Sequence, residues 1–381
     1  MTAIRPLHFG KLLPPPFAGV EAHIDQLLRA LQPEVQGTLL ACSADGDPAI
    51  RQRELPYRAV VKRFHGRIAS APVAPGMVLE VQRELSSGRS NLLHLHAPNP
   101  MGDVSGLLFG TKAPLVLSWH SDIVKQRALL RLYGPIQRRV IDRADAIIVF
   151  TPAHYEHSQQ LKRPGVEHKL RVVPMGFDFS RLAADHADAA MTAQLARFAD
   201  GRPMLLTVGR HVYYKGYEFL LSAFAKLRQD AVLVMVGTGP MGQMLRSQAE
   251  SLGVHHRVWF TGEVTESELV SAYRSCDVFT LPSVEPSEAF GMASAEAMAC
   301  GKPTVVCELG NGVNYLNQKG RTSLTVAPRD VRALAEALQT LIEDATLRKS
   351  MGEEANRWVR STFSADAMRA AHIDLYRRLL G

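Results

Sequence analysis

The chain has 381 residues, enough for two domains of ordinary size, and its hydrophobic content of 46% is typical of a globular protein with buried cores. It holds no apolar run of about 18 residues that would span a bilayer, and its proline-broken N-terminus does not resemble a signal peptide. The net charge of +7 belongs to the first half, since residues 1–180 hold 22 lysines and arginines against 15 acids, whereas residues 181–381 hold 22 of each.

The basic first half and the cysteines set two further expectations. A positive half-chain predicts an anionic partner such as a membrane surface, a lipid phosphate or a nucleic acid. No recognised nucleic-acid motif accompanies the charge, so we favour peripheral binding to the inner face of the cytoplasmic membrane. The four cysteines lack the spacing of a metal site or of a disulfide framework, which is typical of buried thiols in a reducing cytoplasm.

Two basic segments carry the membrane prediction. Residues 51–67 hold six basic residues against one acid, and residues 127–143 form a second basic segment with a helical pattern. Apolar side chains such as Val60, Phe64 and Tyr133 interleave with the charges. The basic residues are Arg51, Arg53, Arg58, Lys62, Arg63, Arg67, Arg127, Arg131, Arg138, Arg139 and Arg143.

Short apolar segments rich in β-branched residues alternate with helical patterns along the whole chain. The predicted strands are residues 4–9, 37–42, 91–96, 114–119, 146–150, 170–174, 204–208, 232–236, 258–261, 278–281, 303–307 and 324–326. Helical stretches separate most of them, which predicts parallel sheets with helices on both faces. Twelve strands exceed one ordinary doubly wound sheet, so we predict an α/β protein with two sheets of about six strands each.

The predicted domains follow from these two sheets. The N-terminal domain spans 1–178, a connector with one helix spans 179–202, and the C-terminal domain spans 203–362. Residues 363–381 form a final amphipathic helix, which we expect to pack on the N-terminal domain. Because open parallel sheets bind ligands at the carboxyl ends of their strands, we expect the site in a cleft between the two carboxyl edges.

A glycine and two cations follow the predicted strand 204–208. Gly209-Arg210 and Lys215-Gly216 lie at the carboxyl end of this strand and open a helix. Arginine offers a planar fork of donors, lysine offers a point charge, and the start of a helix adds a positive dipole. These residues predict a diphosphate site, and the alternative is a pair of solvated loop cations.

Glycines also follow the next two strands. Gly237 and Gly239 end one of them, and Gly262 with Val264 follows the other. The missing side chains would let the backbone approach a ligand, and the backbone near Val264 would be able to bond a nucleobase edge. Plain turns explain both segments equally well.

A carboxylate-bearing loop and a helix of small residues follow the predicted strand 278–281. Glu288 and Glu296 are eight residues apart, which gives about 12 Å of rise if the intervening residues are helical. That length matches the span from a sugar ring, across a diphosphate, to a ribose. The alternative is one capping and one exposed glutamate, but a buried Glu296 on so apolar a helix would need a partner.

The arrangement Arg210-x4-Lys215, followed by Glu288-x7-Glu296, resembles the retaining glycosyltransferases of family 4, and the resemblance covers nearly the whole chain. It implies the GT-B fold, in which two Rossmann-like domains face each other across a cleft. It also implies that the Arg and Lys bind the donor diphosphate, that the first Glu holds the transferred sugar and that the second holds the ribose. The backbone contacts of the family fall on Phe290, Gly291 and Met292.

Residues 17–21 resemble the glycine-rich loop with which this family faces the diphosphate from the N-terminal domain. The family usually has two glycines, and here the first is Ala18. We therefore assign the donor contact to Gly19. A simple turn from strand to helix remains the alternative for this segment.

Residues 118–122 resemble the histidine motif of the family. The resemblance implies that His120 contacts the transferred sugar near its 6-hydroxyl and lines the reaction centre. His94 and His96 end the preceding predicted strand. For these two, a structural role and a role on the acceptor side remain open.

Within the family, residues 96–103, 119–124 and 310–315 are similar to bacterial mannosyltransferases and rhamnosyltransferases of surface polysaccharide synthesis. This likeness favours transfer of mannose from GDP-mannose to a lipid-linked or oligosaccharide acceptor, with dTDP-rhamnose or a UDP-sugar as alternative donors. We expect neither a cofactor nor a metal ion.

Three other classes of protein compete with this interpretation. A nucleotide-sugar 2-epimerase would share a diphosphate cleft, but a donor-only assay distinguishes it because epimerisation needs no acceptor. A Rossmann dehydrogenase is the second alternative, which we disfavour. A non-catalytic sugar- or nucleic-acid-binding protein is disfavoured because no recognised nucleic-acid motif accompanies the basic charge.

Overall fold

The computed structural model describes residues 3–13, 19–43, 55–64, 66–68, 71–109, 113–123, 127–228 and 230–381. The chain divides into two compact units. Unit 1 comprises Met1–Phe177 and Phe363–Gly381, and unit 2 comprises Asp178–Thr362. The last helix of the chain therefore belongs to the same unit as the N-terminal half.

Unit 1 is built on a parallel sheet of seven strands in the order β3-β2-β1-β6-β7-β8-β9. Its strands are β1 (Pro6–Leu12), β2 (Thr38–Ser43), β3 (Arg58–Arg63), β6 (Leu92–Ala97), β7 (Leu115–Trp119), β8 (Ala146–Val149) and β9 (Leu170–Val172), and β4 (Gly66–Ile68) pairs with β5 (Ala71–Val73) as a small antiparallel ribbon. Before residue 177, the described residues of unit 1 form the helices α1 (Gly19–Leu31), α2 (Pro75–Ser86), α3 (Pro100–Phe109), α4 (Arg127–Arg143) and α5 (Pro152–His157).

Unit 2 is built on a parallel sheet of six strands in the order β12-β11-β10-β13-β14-β15. These are β10 (Met204–Val208), β11 (Val232–Val236), β12 (Val258–Gly262), β13 (Val278–Leu281), β14 (Thr304–Cys307) and β15 (Ser323–Val326). The helices are α6 (Ala189–Ala199), α7 (Tyr217–Phe224), α8 (Gly242–Ser251), α9 (Glu266–Ser275), α10 (Met292–Ala299), α11 (Gly312–Leu316), α12 (Val331–Glu343) and α13 (Ala345–Phe363). Two helix-covered parallel sheets confirm the predicted fold class.

The final helix, α14 (Ala365–Leu380), completes the core of unit 1. Ser364 caps it, since the Ser364 hydroxyl accepts a hydrogen bond from the Ala367 N–H at 3.1 Å. Tyr376 is fully buried on this helix, and it packs in one apolar cluster with Leu27 and Leu31 of α1. Burial of each such large side chain contributes about 1.5–3 kcal/mol, so the helix is an integral part of unit 1.

The sequence prediction missed β3, which lies at the edge of the first sheet. Its sequence, RAVVKR, was interpreted as part of a basic membrane surface because charges bracket its apolar residues. In the structure Arg58 forms an ion pair with Glu84 at 2.6 Å, and Lys62 forms one with Glu80 at 2.8 Å. These two charges are therefore neutralised within unit 1.

Much of the predicted basic surface lies outside the described residues. This holds for Arg51 and Arg53, and for the side chains of Arg67, Arg127 and Arg131. None of the helices that the structure describes is both long and apolar enough to cross a membrane. Peripheral membrane binding thus stays a prediction.

The four cysteines are free, as expected from their spacing. Burial raises the pKa of the Cys42, Cys276 and Cys307 thiols to about 12. These thiols therefore remain protonated at neutral pH and act as small apolar side chains.

Each sheet has one point at which the order of its strands reverses. In unit 2 the chain runs outward from β10 through β11 to β12, and then returns to β13 on the other side of β10. In unit 1 the corresponding point lies between β1 and β6. Ligands of doubly wound sheets bind just outside the carboxyl ends of the strands at this point. In unit 2 the loops that follow β10 and β13 are therefore the expected site.

Candidate functional site

The loops after β10 and β13 meet at the reversal point of unit 2. Lys215 Nζ lies 2.5 Å from Glu288 Oε2, and these side chains are only 11% and 12% exposed. The Ser283 hydroxyl donates a second hydrogen bond to the same oxygen at 3.1 Å. The structure therefore brings together two residues predicted independently from separate segments, and each neutralises the charge of the other.

Gly216 is the residue that lets the two loops approach this closely. Its φ of +67° is in the left-handed region, and a Cβ there would collide with the backbone carbonyl of Pro282. The Val284 N–H donates to the Tyr214 carbonyl at 2.8 Å, which joins the loops beside it. Helix α7 begins directly after this glycine, so its positive end is held against the loop of β13.

Arg210 differs from Lys215 in its surroundings. Its side chain is exposed, and among the described residues no carboxylate forms an ion pair with it. Its guanidinium donors are therefore available to an external anion. The next residue, His211, is buried, and desolvation together with the nearby Arg246 lowers its pKa.

Gly237 and Gly262 pack against each other. The Gly237 N–H donates to the Gly262 carbonyl at 2.9 Å. With φ at +120°, a Cβ on Gly237 would collide with the Gly209 carbonyl. Contacts within the protein therefore explain why position 237 is a glycine. This favours a plain turn over a backbone contact to a ligand at this position. Val264 is partly exposed in the loop that leads to α9.

The helix of small residues that the sequence predicts after the strand 278–281 is α10, and Gly291 is its N-cap residue with φ at +80°. Since glycine has no side chain to accept a hydrogen bond, the first N–H groups of α10 have no side-chain cap. Met292 is 55% exposed at this helix start. The arrangement provides positive dipole and open donors, as an anion site requires.

One geometric premise of the sequence prediction is wrong. Glu288 lies in the loop before α10, and only Met292–Ala299 is helical, so the 12 Å helical rise between the two glutamates does not apply. Residues 285–288 form a turn, in which the Glu288 N–H donates to the Glu285 carbonyl at 3.1 Å, and residues 289–291 separate this turn from the helix.

Glu296 has partners that the sequence did not identify. Its Oε1 accepts a hydrogen bond from Arg181, and its Oε2 accepts one from the Tyr273 hydroxyl at 2.6 Å. Arg181 also pairs with Glu266 at 3.2 Å. Desolvation and the adjacent Glu296 carboxylate raise the pKa of Tyr273 well above its usual value. The predicted need for a partner is therefore met.

In unit 1, His120 follows β7 and is half-buried. The backbone N–H of His120 donates to the Ala97 carbonyl at 3.0 Å, and the ring Nε2 of His120 lies 3.2 Å from His96 Nδ1. Asp122 organises the loop, because it accepts a hydrogen bond from the Ser158 hydroxyl at 2.6 Å and another from Trp119 Nε1 at 3.0 Å. Gly19 begins α1, whereas Phe17 and Ala18 lie outside the described residues.

Sequence reasoning did not foresee how many histidines unit 1 brings together. We call His8, His23, His94, His96, His120 and His372 the histidine cluster. Burial lowers the pKa of each ring, to about 3 for His8 and His23, so the cluster is neutral at pH 7. His94 lies 2.6 Å from the Tyr376 hydroxyl and 2.8 Å from the Ser118 hydroxyl, which favours a structural role for His94.

Acid should destabilise unit 1 through these rings. An unfolded histidine titrates near pH 6.5, whereas burial lowers the pKa of His8 to about 3 and that of His372 to about 4. Below pH 6.5 the unfolded chain therefore binds more protons than the folded chain, and stability falls as the pH drops towards these values. Between pH 6.5 and pH 4 we therefore expect the free energy of unfolding to fall by roughly 1 kcal/mol per pH unit for each of these two rings.

Near-ultraviolet circular dichroism during acid and urea titration measures this loss. The double variant His255→Asn/His256→Asn, which changes two exposed histidines of unit 2, is the matched control and should follow the wild type. A free energy of unfolding that stays constant between pH 7 and pH 4 would contradict the expectation.

Comparison with known proteins yields family matches over both halves of the chain. Residues 17–181 match "Glycosyltransferase Family 4", and residues 193–358 match "Glycosyl transferases group 1". The O-antigen chain mannosyltransferase C of Escherichia coli is 32% identical over 290 residues, which cover 76% of each chain. The D-rhamnosyltransferase WbpZ of Pseudomonas aeruginosa is 31% identical over 369 residues, covering 95% of this chain and 93% of that protein.

Solved structures resemble the whole chain as well. HepE of Anabaena, crystallised in complex with UDP, superposes with a TM-score of 0.75 at 20% identity, and the match covers 99% of this chain and 100% of that chain. At this identity the likeness concerns the fold. It agrees with the two doubly wound sheets described above.

Proposed function

The chain belongs to the family 4 glycosyltransferases, and we propose that it transfers a hexose, with mannose from GDP-mannose as the first choice, to a lipid-linked or oligosaccharide acceptor of surface glycan synthesis. The observation that carries the proposal is the contact of Lys215 with Glu288 at the reversal point of unit 2, beside the exposed Arg210. Lys215, a cation suited to a phosphate, therefore lies next to Glu288, a carboxylate suited to sugar hydroxyls.

The names of the relatives support the choice of sugar and acceptor. One is a mannosyltransferase of the O-antigen chain and another is a D-rhamnosyltransferase. Mannose is a hexose and rhamnose is a 6-deoxyhexose, so a pocket for either needs hydroxyl-binding groups such as the Glu288 carboxylate. The alternative donors are dTDP-rhamnose and a UDP-sugar. The enzyme would act in the cytoplasm, where nucleotide sugars are made.

The leaving group determines what Arg210 and Lys215 do. As the bond between the sugar and the diphosphate breaks, negative charge grows on the diphosphate. Fixed cations and the start of a helix stabilise this charge more in the transition state than in the ground state. In our proposal Arg210, Lys215 and the N-terminus of α10 provide that charge, Glu288 holds the sugar, Glu296 holds the ribose, and His120 contacts the transferred sugar.

We expect transfer with retention of configuration and without a metal ion. A double displacement would need a carboxylate beneath the anomeric carbon, but Glu288 is assigned to sugar hydroxyls and Glu296 to the ribose. A front-face route remains, in which the acceptor hydroxyl attacks from the side that the diphosphate leaves and a phosphate oxygen takes its proton. An α-linked donor should therefore give an α-linked product, and activity should survive EDTA.

Proton NMR of the product, after reaction in chelator, measures both expectations through the anomeric signal. The control reaction contains added Mg²⁺ instead of EDTA. A β-linked product would overturn the retaining mechanism. Loss of activity in EDTA alone would overturn only the assignment of the leaving-group charge to protein cations.

A further inference from the structure

Unit 1 has a cavity at the edge of its sheet where the strands begin. It lies at the amino ends of β1, β2 and β3, whereas the loop of His120 follows the carboxyl end of β7. Its volume is about 430 Å³, within the range of about 300–1,000 Å³ that small-molecule sites occupy. We call it the arginine cavity, and its polar lining includes Arg5, Gln32, Gln36, Tyr57, Arg58 and Arg89. The proposed transfer reaction uses none of these residues.

The arginine cavity carries more positive charge than unit 1 neutralises. Three arginines line it, and none of its lining residues within the described ranges is an acid. The buried Glu84 carboxylate accepts hydrogen bonds from Arg58 at 2.6 and 2.9 Å and from Arg89 at 3.0 Å. Burial opposes ionisation of Glu84, but the hydrogen bonds from these two arginines hold its pKa below the usual value. One carboxylate therefore balances one of three guanidinium charges, and two remain.

Arg5 is the arginine of this cavity that has no carboxylate partner. Among the described residues no group accepts a hydrogen bond from its buried Nε, and the ion pairs here join Arg58 and Arg89 to Glu84. A buried donor without an acceptor is costly. The backbone of Arg5 is fixed, because its N–H donates to Asn91 Oδ1 at 2.9 Å and its carbonyl accepts from the Asn91 N–H at 3.0 Å. Arg5 is therefore held at the cavity with its charge uncompensated.

Asp25, which contacts the cavity wall through Tyr57, does not supply the missing negative charge. The Tyr57 hydroxyl donates to Asp25 at 2.6 Å, but Arg29 also pairs with Asp25 at 2.8 Å. Arg29 does not line the cavity. This carboxylate is thus already balanced by an arginine outside the cavity, and the surplus of two positive charges stands.

We propose that the arginine cavity binds the phosphate group of a small phosphorylated molecule. A phosphate monoester carries about 1.5–2 negative charges at pH 7, which matches the surplus, and its oxygens accept the forked donors of arginine. The side-chain amides of Gln32 and Gln36 suit hydroxyl groups of the same molecule, because an amide both donates and accepts hydrogen bonds. The site lies wholly within unit 1.

Calorimetric titration of the full-length chain with glycerol 3-phosphate tests the site. One molecule should bind the wild type, and added salt should weaken the binding because the attraction is electrostatic. Arg5→Ala and Arg89→Ala each remove a charged donor, so each should lower the affinity by about 10–100-fold. Arg89→Ala should stay folded, because Glu84 keeps both hydrogen bonds from Arg58. It carries the comparison if Arg5→Ala does not fold.

Arg171→Ala and Arg210→Ala are the controls. Arg171 is exposed on β9, at the other end of the sheet from β3, and its guanidinium donates to backbone carbonyls. Arg210 belongs to the proposed donor site on unit 2, where a phosphate would also be attracted. One molecule of glycerol 3-phosphate should still bind each of these variants with the wild-type affinity.

Vesicles distinguish the two sources of a phosphate monoester. Phosphatidic acid in phosphatidylcholine vesicles presents the phosphate of glycerol 3-phosphate on a lipid headgroup. Binding to these vesicles alone, lost in Arg5→Ala and Arg89→Ala, would assign the cavity to a headgroup, whereas binding of glycerol 3-phosphate assigns it to a free molecule.

Three results would overturn the proposal. They are no binding of either probe, equal binding by the wild type, Arg5→Ala and Arg89→Ala, or binding that is lost in Arg210→Ala instead. Because the titration needs neither a nucleotide sugar nor an acceptor, an absence of transferase activity would leave it intact.

Discussion

Replacing Arg210 or Lys215 with alanine is expected to lower turnover by about 100-fold or more, which corresponds to a loss of about 3 kcal/mol of transition-state stabilisation. The physical reason is the charge that develops on the diphosphate as it leaves the sugar. Arg210 is exposed and lacks an ion-pair partner among the described residues, so its removal should affect transfer while the melting temperature stays at the wild-type value.

The lysine variant carries an additional effect. The Lys215 side chain is 11% exposed and paired with Glu288, so Lys215→Ala leaves a partly buried carboxylate without its cation. We expect some loss of stability there, which a thermal melt records separately from turnover. Lys226→Ala, which removes an exposed lysine beyond α7, is the matched control. A folded Arg210→Ala enzyme with near-normal turnover would remove this residue from the mechanism.

Glu288→Gln should separate sugar binding from diphosphate binding. A hydrogen bond from a sugar hydroxyl to a carboxylate contributes about 1.5–3 kcal/mol, so losing the charge should lower kcat/KM by about 10–100-fold. A free nucleoside diphosphate has no sugar, and removing a negative charge 2.5 Å from Lys215 should leave its affinity unchanged or increase it. Steady-state kinetics and calorimetry with the free nucleotide measure the two quantities.

Glu285→Gln is the control for that variant. Glu285 lies in the same loop but pairs with Arg329 at 3.3 Å, away from Lys215. It should retain nearly full activity. If Glu288→Gln lost nucleotide affinity in proportion to kcat/KM, Glu288 would act on the diphosphate or on the fold of the loop, and its assignment to the sugar would be wrong.

The fold was predictable because most strands are buried on both faces. Strands such as β8 and β11 are continuous apolar runs, and such runs are recognisable in sequence. The edge strand β3 was missed because its charged ends, Arg58 and Arg63, resemble a solvated segment. The charge of Arg58 is satisfied by a helix 26 residues away, which local pattern does not reveal.

The residue types of the candidate site were also predictable, but their pairing was not. Lys215 meets Glu288 across 73 residues, and Glu296 meets Arg181 across 115. The strand order brings the loops of Lys215 and Glu288 together, because they follow β10 and β13, the strands beside the reversal point. Arg181 lies in the connector before β10, so no strand pattern predicts its contact with Glu296. The same limit applies to the histidine cluster, whose members come from β1, α1, β6, α14 and the loop after β7.

The most direct test of the central claim, a nucleotide-sugar site on unit 2, is calorimetric titration with GDP, UDP, dTDP and ADP, since it requires no acceptor. We expect one of them to bind the wild type, with GDP favoured. Its affinity should fall by about 100-fold, or about 2.7 kcal/mol, in Arg210→Ala and stay unchanged in Lys226→Ala. If no nucleotide bound, or if Arg210→Ala bound the preferred one as tightly as the wild type, the account would be contradicted.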